Sequence, residues 1–88
     1  MLWITIGTWG PEKRDEITKR RMEKGTMRPE GVKLLGEWVD LAGGRVVALD
    51  EGDDPAALAL ACYAWNDIMC LDSFPVMDNT AVLEAIKD

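Results

Sequence analysis

Asp50 and Asp72 are the residues of this 88-residue chain whose types and placing best suit joint chemistry. Each falls within a run that alternates as a strand does. Paired carboxylates in an aromatic setting can hold and pass a proton, which is general acid–base work. Four tryptophans, Trp3, Trp9, Trp38 and Trp65, are the other conspicuous group; tryptophan commonly lines ligand pockets, a role open to Trp3 or Trp38. The candidate pocket is therefore Trp3, Thr5, Trp38, Asp50 and Asp72, and it suits a small hydrophobic or aromatic ligand. Each group also has a plainer reading, which carries more weight. The acids would pair with Arg14, Arg21 or Arg45, or reach solvent at a strand end, and the indoles would anchor a core or an interface.

Other chemistry is excluded by residue type. The chain has no histidine, so it lacks the commonest neutral-pH base and the commonest haem or metal ligand. A Ser-His-Asp or Cys-His mechanism within the chain is ruled out for the same reason. Cys62 and Cys70 lack the close spacing of a zinc site. Cys62 reads as inert filler inside an apolar helix, and nothing in the sequence would activate Cys70. Gly43-Gly44 lacks the flanking pattern of a phosphate loop. No catalytic residue, metal ligand or cofactor is assigned.

The net charge of −6 argues against a nucleic-acid partner, which calls for a surplus of Lys and Arg on one face. The charge is uneven. Residues 1–28 carry seven bases against four acids, and the remainder carries three against twelve. The basic stretch reads as a solvated helix face, or less simply as an anion-contacting or subunit-contacting one. No apolar run reaches the roughly 18–20 residues that span a bilayer. The start lacks the basic and small-residue features of a signal peptide. Cytoplasmic location with free thiols is the expectation.

The elements that must position these residues follow from pattern. Leu2–Thr8 alternates as a strand, with Leu2, Ile4 and Ile6 on one side and Trp3, Thr5, Gly7 and Trp9 on the other. The first, purely aliphatic set is expected beneath helices. Gly10-Pro11 breaks the strand, and a helix runs from about Pro11 to Lys24, stopping at Gly25. Its acids lie early and its bases late, as the helix dipole favours, but its apolar stripe is thin. A strand from about Val32 to Leu41, a hairpin at Gly43-Gly44 and a strand from Arg45 to Glu51 come next. Asp54 and Pro55 start a helix reaching Trp65. That helix is apolar nearly all round, which implies burial on more than one side. A last strand, about Met69 to Met77, precedes a short C-terminal helix.

This order is that of an α+β, ferredoxin-like β-α-β-β-α-β domain spanning residues 1–88, with a four-stranded antiparallel sheet. Both helices cover one face, and the other is left open. The open face is expected to carry Trp3, Thr5, Trp9, Val46, Ala48, Asp50, Cys70, Asp72, Phe74 and Val76, with Val47, Leu49, Met69 and Leu71 toward the helices. That face is too apolar to leave in water. Two such faces packed together would close a barrel across a homodimer, which also supplies the support that a chain of this size needs.

Arg28-Pro29-Glu30-Gly31-Val32, Trp38-Val39-Asp40, Asp53-Asp54-Pro55, Trp65-Asn66-Asp67 and Phe74-Pro75-Val76, at these separations, resemble a short prokaryotic domain-of-unknown-function family, number 3303. The resemblance covers nearly all of the chain after Arg28 and is looser before it. It implies the dimeric α/β-barrel superfamily, whose members include cofactor-independent monooxygenases, lactone isomerases, haem-degrading enzymes and ligand-binding domains. None of these motifs is catalytic, so the resemblance speaks to fold. Binding or interaction is favoured over the alternative, a cofactor-independent monooxygenase or isomerase relying on an acid in an aromatic pocket.

Overall fold

A computed structural model describes residues 1–87. Strand β1 is Leu2–Thr8. A 3-10 turn at Pro11–Lys13 leads into helix α1, Arg14–Lys24, which ends at Gly25 with its N–H on the Arg21 carbonyl at 2.9 Å. Strands β2, Lys33–Val39, and β3, Arg45–Glu51, form the hairpin. Gly43 and Gly44 both take positive φ, 87° and 80°, which side chains other than glycine's resist. Asp40 closes this turn by accepting from the Ala42 N–H at 3.0 Å and from Arg45 at 3.0 Å. Helix α2 is Pro55–Tyr63, capped by Asp54, which accepts from the Ala56 N–H at 3.0 Å. Strand β4 is Cys70–Val76 and helix α3 is Asn79–Ile86.

The sheet order is β2-β3-β1-β4 with every neighbouring pair antiparallel, as the sequence predicts. Strand β2 is irregular between Leu34 and Gly36. The core lies between sheet and helices in two clusters. Ile17, Trp65 and Ile68 form one, and Val32, Ala57 and Leu58, joined by Trp3, form the other.

The faces of β1 and β3 are the reverse of the sequence expectation. Trp3 lies opposite Asp50 and Thr5 opposite Ala48, and Ala48 and Asp50 are buried beneath the helices. The aliphatic set Leu2, Ile4, Ile6, Val47 and Leu49 therefore lies on the uncovered face. Strand β4 follows expectation, with Leu71 inward and Cys70, Asp72, Phe74 and Val76 on the open side. Helix α2 turns Ala57, Leu58 and Ala61 inward. Trp3 packs beside Ala57 and Leu58, with its indole N–H satisfied by the Gly52 carbonyl at 3.1 Å.

On the open face Trp38 folds over Gly36, where even a Cβ would sit 2.5 Å from the ring. Trp38 is 58% exposed and Phe74 37%. The second apolar side expected of α2 is also present, since Leu60 and Tyr63 face outward.

Candidate functional site

A cavity of about 260 Å³ lies between the sheet and the two helices. Its sheet wall includes Thr5, Val46, Ala48, Asp50 and Leu71. Helix α1 contributes Ile17, Thr18, Arg21 and Met22, and α2 contributes Leu58, Ala61 and Cys62. Trp9, Trp65 and Met69 complete the apolar lining. Ala61 on α2 and Thr5 and Ala48 on the sheet are small, which leaves this space unfilled.

Its main polar feature is a buried ion pair. Arg28 Nε donates to Asp50 Oδ1 at 2.8 Å and Nη2 to Oδ2 at 3.3 Å. Asp50 is 3% exposed. Arg28 Nη1 also donates to the Thr26 carbonyl at 3.1 Å, and that carbonyl accepts from Trp65 Nε1 at 3.1 Å. Between Thr26 and Arg28, Met27 holds φ at 53°, a left-handed conformation that an ordinary residue keeps only when its surroundings impose it. Here the two donors on Thr26 and the packing of Met27 on the Ile17–Trp65–Ile68 cluster impose it. A second ion pair, Arg21 Nη2 to Glu37 Oε1 at 2.8 Å, ties α1 to β2 at the cavity wall.

Helix α1 is fastened from its other side by Arg20. Its guanidinium meets both oxygens of Asp67, at 2.7 and 2.8 Å, and the Ala64 carbonyl at 2.8 Å. It also lies 5.8 Å from the Trp65 ring centroid, within cation–π range. Hydrogen bonding from Arg20 holds the Asp67 carboxyl below its ordinary value, and the Ala42 N–H followed by Arg45 does the same for Asp40. A carboxylate depressed on folding contributes stability that is complete above its unfolded value and is lost as pH falls through its folded one. The urea midpoint should therefore decline below about pH 4, and Asp67→Asn should decline less steeply over that range.

Of the sequence-derived candidates, the cavity brings together Thr5 and Asp50. Trp3 shares their face but packs in the neighbouring Val32–Ala57–Leu58 cluster. Trp38 and Asp72 lie across the sheet on the open face. Asp50 and Asp72 are thus on opposite sides of the sheet and cannot share a proton, which corrects the paired-carboxylate expectation. The plainer reading of Asp50 holds in kind, but its partner is Arg28. Arg14 pairs with Asp15, Arg21 with Glu37 and Arg45 with Asp40.

Sequence reasoning missed Arg28, Arg21 and Trp65 as cavity residues and took Cys62 for filler. For Arg28 the one available signal was its place beside a proline-containing turn. Cys62 and Cys70 are both free thiols. Among the described residues no cluster of potential metal ligands occurs, and no helix is long and apolar enough to cross a membrane.

Comparison with known proteins agrees with this architecture. The family model described as "Domain of unknown function (DUF3303)" matches residues 1–88, and the chain belongs to that family. No curated protein matches it. Among solved structures, one from Deinococcus radiodurans, assigned as an antibiotic biosynthesis monooxygenase, is similar with a TM-score of 0.52 at 13% sequence identity. The match covers 89% of this chain and 94% of that one. At that identity the likeness is one of fold.

Proposed function

We propose that this member of the DUF3303 family is a small-molecule-binding domain that works as a homodimer, each protomer taking a hydrophobic or aromatic ligand between sheet and helices. The cavity carries this reading. An apolar cavity of about 150 Å³ suffices for benzene, and ligand sites commonly begin near 300 Å³. A volume of about 260 Å³ therefore suits a ligand of one or two rings. Trp9, Trp65, Leu58 and Leu71 would contact its apolar body. Guanidinium has five N–H groups, and Arg28 commits three of them. The other two, with the lone pairs of Asp50, can orient a polar substituent.

The homodimer rests on the open face. Leu2, Ile4, Ile6, Val47, Leu49 and Phe74 make a contiguous aliphatic and aromatic surface, with Trp38 at its β2 edge. Monomeric proteins seldom leave such a surface in water, and pairing two of them buries it while shielding the edge strands. Free thiols on both sides of the sheet suit a cytoplasmic setting.

A cofactor-independent enzyme of the monooxygenase or isomerase type is the second reading, favoured by one observation, the buried Asp50 carboxylate on the cavity wall. Arg28 engages both of its oxygens, so taking a proton from a ligand would compete with an ion pair. That competition places binding first.

Titration with 1-naphthol, followed by tryptophan fluorescence and calorimetry, tests the proposal. Saturation at one ligand per protomer is expected, with affinity at least tenfold weaker in Ala61→Phe, whose ring fills the cavity. Leu58→Phe serves as a second filling variant if Ala61→Phe proves overpacked. Absence of saturation, or unchanged affinity in folded filling variants, would overturn the reading.

A further inference from the structure

We infer that α3 is an exchanged arm, docking its apolar side on the second copy of the chain. This extends the homodimer proposed above and rests on it. Helix α3 is well specified locally, because Asp78 caps it by accepting from the Thr80 N–H at 2.7 Å. Val82, Leu83 and Ile86, with Asn79, recur at the spacing of one helical face. Yet α3 buries no residue. Leu83 is 58% exposed, Ile86 72% and Met77, just before the helix, 66%. Among the described residues, no side-chain hydrogen bond or ion pair other than this cap joins α3 to the rest of the chain.

A helix of eight residues is marginal in water without tertiary contacts, and this one buries none of its residues in its own protomer. The chain's dimensions agree. Its radius of gyration is 14.6 Å and its longest extent 51 Å, against a radius of about 12 Å for a compact chain of this length.

Two arguments identify the occupant as a second copy. The first is continuity. Helix α3 leaves β4, an edge strand whose Phe74 and Val76 belong to the open face, after only Met77 and Asp78, and Met77 is itself exposed. The second is area. Four strands of seven residues present roughly 450 Å² in plan, so two faces together bury about 900 Å². Stable interfaces usually bury about 1,200–2,000 Å². Each arm is about 12 Å long and 10 Å wide. Two arms and the surfaces that receive them bring the total to roughly 1,400 Å², within the stable range. The arms add about half as much again to what the sheet faces bury in plan.

The test uses the full chain with Leu83→Glu and Ile86→Glu together. These positions are exposed within the protomer, so the change should leave the cooperative urea unfolding of the sheet and its two covering helices intact. Analytical ultracentrifugation should show a dimer dissociation constant raised at least 100-fold, with Glu84→Gln unchanged. In the parent, hydrogen exchange at residues 79–86 should slow as protein concentration rises through dimer formation. If the arm variant dimerises as tightly as the parent while the sheet variant Ile4→Glu dissociates, the arm inference is overturned and the homodimer stands. Protection of residues 79–86 that does not change with concentration would mean α3 packs on its own chain, and would also overturn it. A full chain that stays monomeric at 100 micromolar would overturn both.

Discussion

Replacing Arg28 by methionine should destabilise the domain by about 3–5 kcal/mol, the usual cost of stripping a buried charge of its partner. Asp50 is 3% exposed, and Arg28 engages both of its oxygens. Methionine keeps most of the side-chain length, so the change isolates the loss of charge and donors. Total stability for a chain of this size is on the order of 5–10 kcal/mol, so the variant should lose about half of it. Urea unfolding at pH 7 provides the measurement. The double variant Arg28→Met, Asp50→Leu should regain much of the loss, because an apolar pair leaves no orphaned charge. A single-variant loss below about 1 kcal/mol would mean that water in the cavity solvates Asp50 well. The ion pair would then be a feature of the ligand site rather than of the core.

The second large effect is expected at Trp65. Truncation to alanine should cost about 3–5 kcal/mol, as large aromatic truncations in cores do. Three contacts go together: packing with Ile17 and Ile68, the hydrogen bond to the Thr26 carbonyl and the stacking beneath Arg20. Trp65→Phe separates them. It keeps most of the ring, and Thr26 retains Arg28 as a donor, so the loss should be about 1 kcal/mol, that of one hydrogen bond. Because Trp65 and Arg28 meet on one carbonyl, their effects should not add in a double-variant cycle, by about 0.5 kcal/mol or more. Additivity within error would show that Thr26 does not couple the core to the ion pair.

Much of the element order was legible because its signals are local. Pro11, Gly25, Asp54-Pro55 and Gly43-Gly44 punctuate the chain through backbone preferences that hold in any tertiary setting. The bounds of strands β1 and β3 agree with the sequence reading, and the others differ by only a few residues at their ends. The exposed outer side of α2, with Leu60 and Tyr63, was foreshadowed by a helix apolar all round.

The candidate pocket was legible only in part. Thr5 and Asp50 line the cavity, whereas Trp38 and Asp72 stand on the far side of the sheet. The error has one source. Both faces of β1 are rich in apolar residues, and alternation separates two faces without saying which one meets the helices.

That distinction returns to Asp50 and Asp72. The sequence by itself determined that each sits on a strand of a four-stranded ferredoxin-like sheet, since period-two alternation and turn chemistry are carried by neighbouring residues. It also determined that histidine-based chemistry is closed to this chain. Only the tertiary structure decided that the two acids lie on opposite faces. Trp3 packs with Val32, Ala57 and Leu58 on the helix side, and Arg28, arriving from the turn after α1, made burial of Asp50 affordable. Both conditions join residues more than twenty positions apart, and such pairings exist only once the chain has folded.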